Sequence, residues 1–313
     1  MTTPGLAAGI DVGGTKILGV VVDAAGRTVA ETRRPTPRGT PALIDDLVAT
    51  ADELVASVGA VDGIGVGVPG LITTAGTLRS SPNLPGIERL DVAGELATRL
   101  ARPVAVGNDA TCATLAEWQL GAGRGVDDLV LVTLGTGIGG GIVTGGRLVV
   151  GANGFAGEFG HMVVDPNGLR CPCGRRGCWE RYASGSGISA LARNDALAGG
   201  LSAVVERAGG DAALVRGEHV QAAALEGDVD ALDVVDQFAR WVAIGLANLT
   251  NAFDPAAFVL GGGLAVGADV FLEPIQRWFT ATLYAPEHRP HPALTFATLG
   301  EHAGAIGAAL LTR

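Results

Sequence analysis

Asp11-Val12-Gly13-Gly14-Thr15-Lys16 stands between two apolar runs, residues 6–10 and 17–22, and the arrangement recurs far downstream. There, Thr133-Leu134-Gly135-Thr136-Gly137-Ile138-Gly139-Gly140-Gly141 follows an apolar run at 129–134 and precedes another at 142–144. Laid over each other, Asp11-x-Gly13 matches Thr133-x-Gly135, each between β-branched stretches that read as strands. Two glycine-turn hairpins at matched places indicate an internal duplication. Glycines without Cβ atoms let successive N–H groups converge on phosphate oxygens, and Thr15 or Thr136 adds a hydroxyl donor. One such turn would be an ordinary hairpin. Two, with a third cluster at Gly261-Gly262-Gly263 after an apolar strand (257–260), point to phosphate binding. Asp11, at a strand end facing its turn, either caps it or holds a magnesium ion through the ion's waters.

Working outward, residues 27–33 read as a third strand, and Ile44, Leu47, Val48, Ala51, Leu54, Val55 and Val58 recur at helical spacing. A strand at 63–68 ends at Pro69-Gly70, and a Gly/Ser/Pro/Asn loop follows through Asn83. Residues 91–100 read as a helix and 103–106 as a strand. Asn108-Asp109 opens a helix to Leu120, with Asp109 as its N-cap. No linker divides the halves, so topology places the boundary near Asp109. That gives a smaller N-terminal domain of residues 1–108 plus about 300–313, and a larger one of 109–299.

A length of 313 residues fits two domains, and 48% hydrophobic with 17% charged residues is globular composition. The 49 glycines follow no G-X-Y period, which excludes collagen. A net charge of −10 argues against nucleic-acid binding. Residues 1–10 show no signal peptide. The long uncharged stretch 129–146 carries seven glycines and three threonines, which unfits it for a lipid-facing helix. Four cysteines in such a chain suit a reducing cytosol, where clustered thiols bind metal more often than they pair.

Gly135-Thr136-Gly137-Ile138-Gly139-Gly140 satisfies G-x-G-x-x-G, but the fingerprint needs a helix to start among the glycines, and hairpin sequence follows instead. No G-K-[ST] is present, so there is no Walker A loop. His161, Cys171, Cys173 and Cys178, the last three within Cys-Pro-Cys-Gly-Arg-Arg-Gly-Cys, fit a closed structural zinc site. The alternatives are a disulfide or inert buried thiols. Cys112, on an apolar helix, reads as core, as does Trp179. Glu158 and Glu180 flank the cysteines and, taken alone, read as surface carboxylates. The inventory suits phosphoryl transfer to a polyhydroxylated substrate better than hydrolysis or redox chemistry.

Gly157-Glu158-Phe159-Gly160-His161 and the stretch from Cys171 to Glu180 resemble the two signatures of the ROK (repressor, open reading frame, kinase) family. Ser81-Pro82-Asn83-Leu84-Pro85-Gly86 is similar to the corresponding segment of that family's bacterial ATP-dependent glucokinases. The resemblance runs from Asp11 to Ala309. It implies a duplicated α/β fold of the actin-like ATPase (ribonuclease H-like) type, two domains with a cleft between them. It implies ATP-dependent phosphorylation of glucose to glucose 6-phosphate, with Asp109 as general base and Asn83, Asn108, Asp109, Glu158, His161 and Glu180 on the sugar hydroxyls. Gly13, Gly14, Thr15 and Lys16, with Gly135, Thr136 and Gly137, would serve the phosphates. Gly261, Gly262 and Gly263 would lie beside adenosine, Asp11 would serve Mg²⁺, and Zn²⁺ would shape the sugar site. A cytoplasmic enzyme is implied, a homodimer or higher oligomer, without nucleic-acid or membrane partners. Kinases for N-acetylglucosamine, N-acetylmannosamine or fructose share the fold. Sugar-responsive ROK repressors are an alternative, as is polyphosphate as donor, although those relatives usually lack the cysteine cluster.

Overall fold

The computed structural model describes residues 5–313, apart from the side chains of residues 265 and 266. In chain order, β1 (Ala7–Val12), β2 (Lys16–Val22), β3 (Thr28–Pro35), α1 (Thr40–Val58) and β4 (Gly63–Val68) come first. They are followed by β5 (Thr77–Ser80), β6 (Glu88–Asp91), α2 (Val92–Leu100), β7 (Val104–Asn108) and α3 (Asp109–Gln119). The second series is β8 (Leu129–Leu134), β9 (Ile138–Thr144), β10 (Arg147–Val149), α4 (Glu180–Ala183), α5 (Gly185–Leu197), α6 (Ser202–Arg207) and α7 (Gly217–Leu225). It closes with α8 (Val229–Phe253), β11 (Ala257–Gly261), α9 (Ala268–Thr282), β12 (Ala293–Phe296) and α10 (Ala303–Leu310).

The duplication is plain in the sheets. One has the order β3-β2-β1-β4-β7, the other β10-β9-β8-β11-β12. In the first, β1, β2 and β3 form an antiparallel meander while β4 and β7 run parallel to β1. In the second, β10 pairs antiparallel with β9, and β8, β11 and β12 run parallel. Parallel strands end on one side of their sheet, so Asp11 on β1 and Asn108 on β7 reach the same edge. The glycines 139–141, read as turn, lie inside β9.

The chain divides into two compact units. The first takes in residues up to Asp127, Gly141–Gly157 and Thr298–Arg313, and the second Asp128–Gly140 and Glu158–Ala297. The division therefore falls after Asp127, not at Asp109, and α3 belongs to the first unit. The reason is packing: a Cβ on Gly307 of α10 would stand 1.7 Å from the Cys112 carbonyl of α3. In the same unit, Leu43, Leu47 and Leu54 of α1 are at most 1% exposed, each contributing roughly 1.5–3 kcal/mol by burial. On α10, a Cβ at Gly65 of β4 would meet the Ala308 carbonyl at 1.8 Å, so only glycine permits this approach. In the second unit, α8 carries the core with Phe238, edge-on to Phe271 of α9 at 5.8 Å. Trp179 is fully buried as expected, donating through Nε1 to the Trp241 carbonyl at 2.7 Å. Among the described residues no helix is long and apolar enough to cross a membrane.

Candidate active site

Asn108, rather than Asp109, caps α3. Its Oδ1 accepts from Thr111 N–H at 3.0 Å and its Nδ2 donates to the Gly70 carbonyl at 3.1 Å. Asp109 is thus the first helical residue, with one carboxylate oxygen accepting from Ala110 N–H at 2.9 Å. Burial pushes its pKa above the ordinary aspartate value, against the N–H groups that favour the charged form. Asp11 lies close by: a Cβ at Gly67 would stand 3.4 Å from Asp11 Oδ1 and 3.5 Å from Asp109 Cα. Burial, and then the charge of Asp109, push Asp11 up to about 7, with Lys16 acting in the opposite sense. Asp11 Oδ1 is buried without a hydrogen-bond partner. A solvent-excluded carboxylate oxygen beside a second carboxylate calls for a cation or a proton.

The first glycine turn closes through Gly13 N–H on the Lys16 carbonyl at 2.8 Å, with Gly14, Thr15 and Lys16 exposed. Asn83 borders it, its carbonyl 3.6 Å from where a Gly14 Cβ would be. Lys16 itself is ion-paired with Glu301. These residues all belong to the first unit.

In the second unit, ligand atoms of His161, Cys171, Cys173 and Cys178 lie within 4.8 Å of one another. Small bridges build this cluster: Val163 pairs with Cys178, Arg170 with Arg176, and Gly174 and Gly177 take positive φ of 91° and 71°. Cys173 and Cys178 sulfurs are 3.5 Å apart, and Cys171 Sγ is 3.9 Å from His161 Nδ1. Although burial opposes it, the Arg175 N–H and the neighbouring thiols hold the Cys173 pKa below the ordinary thiol value. Burial pushes the Cys171 and Cys178 thiols up instead, so of the three only Cys173 is biased toward the thiolate a metal needs. Four ligands of this type at this spacing suit tetrahedral zinc.

Glu180 is no mere surface carboxylate. As the first residue of α4 it accepts from Cys171 Sγ at 3.1 Å and lies 3.6 Å from His161 Nδ1. A Cβ at Gly137 would stand 2.8 Å from its Oε2, so the cysteine cluster, Glu180 and the second glycine turn adjoin. Glu158 precedes the short turn Phe159–His161, its carbonyl accepting from His161 N–H at 3.2 Å.

The second turn opens onto a cavity of ≈ 530 Å³ whose wall includes Gly135, Thr136, Gly185, Arg193, Arg216 and Gly263. Gly185 N–H, in the first turn of α5, donates to the Gly135 carbonyl at 2.7 Å. Of the third glycine cluster only Gly263 lines the cavity. Gly261 ends β11, and Gly262 abuts the Leu134–Gly135 backbone, where a Cβ would come within 2.6 Å. The α5 and α7 walls escape sequence reading, although Ser184-Gly185-Ser186-Gly187 at a helix start was a usable signal.

Two sheets of one strand order, each with a glycine turn at its first hairpin, define an actin-like ATPase fold. The pattern of the ROK family matches residues 7–313, and the chain belongs to that family. It is 39% identical to a glucokinase of Streptomyces coelicolor over 312 residues, 99% of this chain and 98% of that one. It is 36% identical to an N-acetyl-D-glucosamine kinase of Pectobacterium atrosepticum, covering 97% of both. A ROK glucokinase from Streptomyces griseus, solved with glucose and AMPPNP, superposes with a TM-score of 0.89. That pair is 38% identical and covers 98% of this chain and 99% of the other.

Proposed function

We propose that this chain transfers the γ-phosphoryl group of ATP to the 6-hydroxyl of glucose. The observation that carries this reading is the full-length likeness to a glucokinase holding glucose and AMPPNP. Asp109 accepts the hydroxyl proton as the oxygen attacks the γ-phosphorus. Its buried place beside the Asn108 cap, which raises its pKa, suits a base aimed at one proton. Asn83, Asn108, Glu158, His161 and Glu180 contribute the sugar contacts. The turns at Gly13–Thr15 and Gly135–Gly137 cradle phosphates with backbone N–H groups. The cavity beside Gly135, bordered by Gly263, takes the nucleoside.

The unpartnered Asp11 oxygen fits a divalent cation. Magnesium, when bound, neutralises charge on the phosphate oxygens, and Asp11 would hold it through its waters. His161, Cys171, Cys173 and Cys178 would hold a structural zinc that cross-links the sugar-contacting loop. Phosphoryl transfer asks little covalent chemistry of the protein, and positioning with charge stabilisation supplies the rate. Mg-ATP as donor and reduced thiols as ligands go with a cytoplasmic setting.

The test is a sugar panel with ATP and Mg²⁺ on purified protein. Glucose should give the highest kcat/KM. Faster turnover of N-acetylglucosamine would favour the reading suggested by the Pectobacterium relative, and no turnover of any hexose would defeat the kinase reading.

A further inference from the structure

Glu117 is a fully buried carboxylate about two turns along α3 from Asp109. Its Oε1 accepts from the backbone N–H of Thr298 at 2.9 Å and of Leu299 at 2.7 Å. Its Oε2 accepts from Ala122 N–H at 2.9 Å and from the Thr298 hydroxyl at 3.3 Å. A buried charge is costly unless its acceptor sites are filled, and here donors from two segments fill them. Thr298 is where the chain re-enters the first unit for its last segment.

From that anchor the chain runs straight to the phosphate turn. Glu301 pairs with Lys16, which directly follows Gly13–Thr15, and with Arg33 at 2.6 Å. Glu31 takes Arg33 at 2.6 Å and His302 at 2.8 Å. Gly304 then lies against Asp11, where a Cβ would come within 2.6 Å of the carboxylate carbon. The segment 298–304 is thus tied at one end to Glu117 and touches both Lys16 and Asp11. Meanwhile α3 has its own supports, the Asn108 cap and the contact of Gly307 with Cys112. Loss of Glu117 would release the segment rather than the helix.

We propose that Glu117 is a positioning residue for phosphoryl transfer, acting through the segment 298–304 to set where Asp11 and Lys16 stand at the phosphate turn. The proposal rests on the kinase reading above. Neither a ligand contact nor a proton transfer is assigned to Glu117 itself.

Glu117→Gln keeps the size but leaves one acceptor oxygen, so one pair of donors must face an amide N–H₂. Glucose KM should stay within about twofold while kcat falls roughly 10–100-fold, because a misplacement of about 1 Å remote from the chemistry can cost about 10²-fold. The Mg²⁺ concentration for half-maximal rate should rise. Calorimetry should show weaker Mg-AMPPNP binding, and the Thr298 and Leu299 amides should exchange hydrogen faster while α3 stays protected. Gly121→Ala is an independent variant, because its Cβ would stand 2.0 Å from Glu117 Oε2 and displace the carboxylate without changing its charge. It should reproduce the pattern.

Variants that melt earlier yet keep wild-type kcat, Mg²⁺ requirement and nucleotide binding would overturn the proposal, as would a parallel collapse of glucose KM and kcat. Unchanged exchange at Thr298 and Leu299 would also overturn it. A wild-type protein that phosphorylates no sugar would instead defeat the kinase reading, and the exchange and Mg-AMPPNP measurements would still judge the anchor.

Discussion

Asp109 owes its position to its neighbour. Because Asn108 satisfies the α3 N-terminus, the Asp109 carboxylate is not consumed as a cap, and burial raises its pKa. Asp109→Asn keeps shape and polarity but cannot accept a proton. Turnover should fall on the order of 10²–10⁴-fold, with glucose affinity by calorimetry changing far less. Near-normal turnover would reduce Asp109 to a packing residue. The sign of the pH effect follows from the same burial. The base works deprotonated, so activity should decline as pH falls through its raised pKa, and the acid limb of kcat/KM should lie above the ordinary carboxylate range. A limb near pH 4 would contradict that environment.

At the level of elements, what could be read from sequence was what is local. The zinc-type loop was legible because its thiols crowd into one turn-rich stretch, and the glycine turns because apolar strands bracket them. Glu180, taken alone, reads as a surface carboxylate and enters the site only through the family resemblance, since its contacts with Cys171 and Gly137 arise only once the loop folds. The cavity wall at α5 and α7 leaves little local mark for a similar reason: Gly185 and Arg193 of α5 and Arg216 just before α7 look ordinary until folding puts them on one wall with Gly135. The adjacency of Glu180 to the cysteines makes a prediction about the metal. Cys173→Ser removes one thiolate, and since outer-shell losses alone can cost about 10–100-fold in affinity or activity, zinc retention should fall at least that far. Glucose binding should weaken severely while AMPPNP binding persists, both read by calorimetry on protein still folded by circular dichroism. Equal loss of both ligands, or wild-type protein free of zinc by metal analysis, would refute the assignment.

For the molecule as a whole, duplication was visible in the repeated hairpin, whereas the division between units was not. Sequence order suggested a break at Asp109, but α3 is held by α10, which arrives from the far end of the chain. A helix's allegiance to a partner almost two hundred residues away leaves no local mark. The final segment should therefore be essential to the first unit rather than an appendage. Deleting residues 298–313 would strip Ala305, Ile306, Ala309 and Leu310 from a core shared with Leu18, Val20, Val22 and Leu115. It would also leave Glu117 buried without its Thr298 and Leu299 donors. At roughly 1.5–3 kcal/mol for each large apolar side chain, plus an unsatisfied buried carboxylate, the loss rivals the about 5–15 kcal/mol that holds a domain folded. Limited proteolysis of the deletion variant should cut rapidly within residues 5–127. Zinc uptake by His161, Cys171, Cys173 and Cys178 should survive, because all four ligands belong to the second unit. A deletion variant with wild-type melting and a protease-resistant N-terminal half would show that α10 is dispensable, and the reading of the first unit would fall with it.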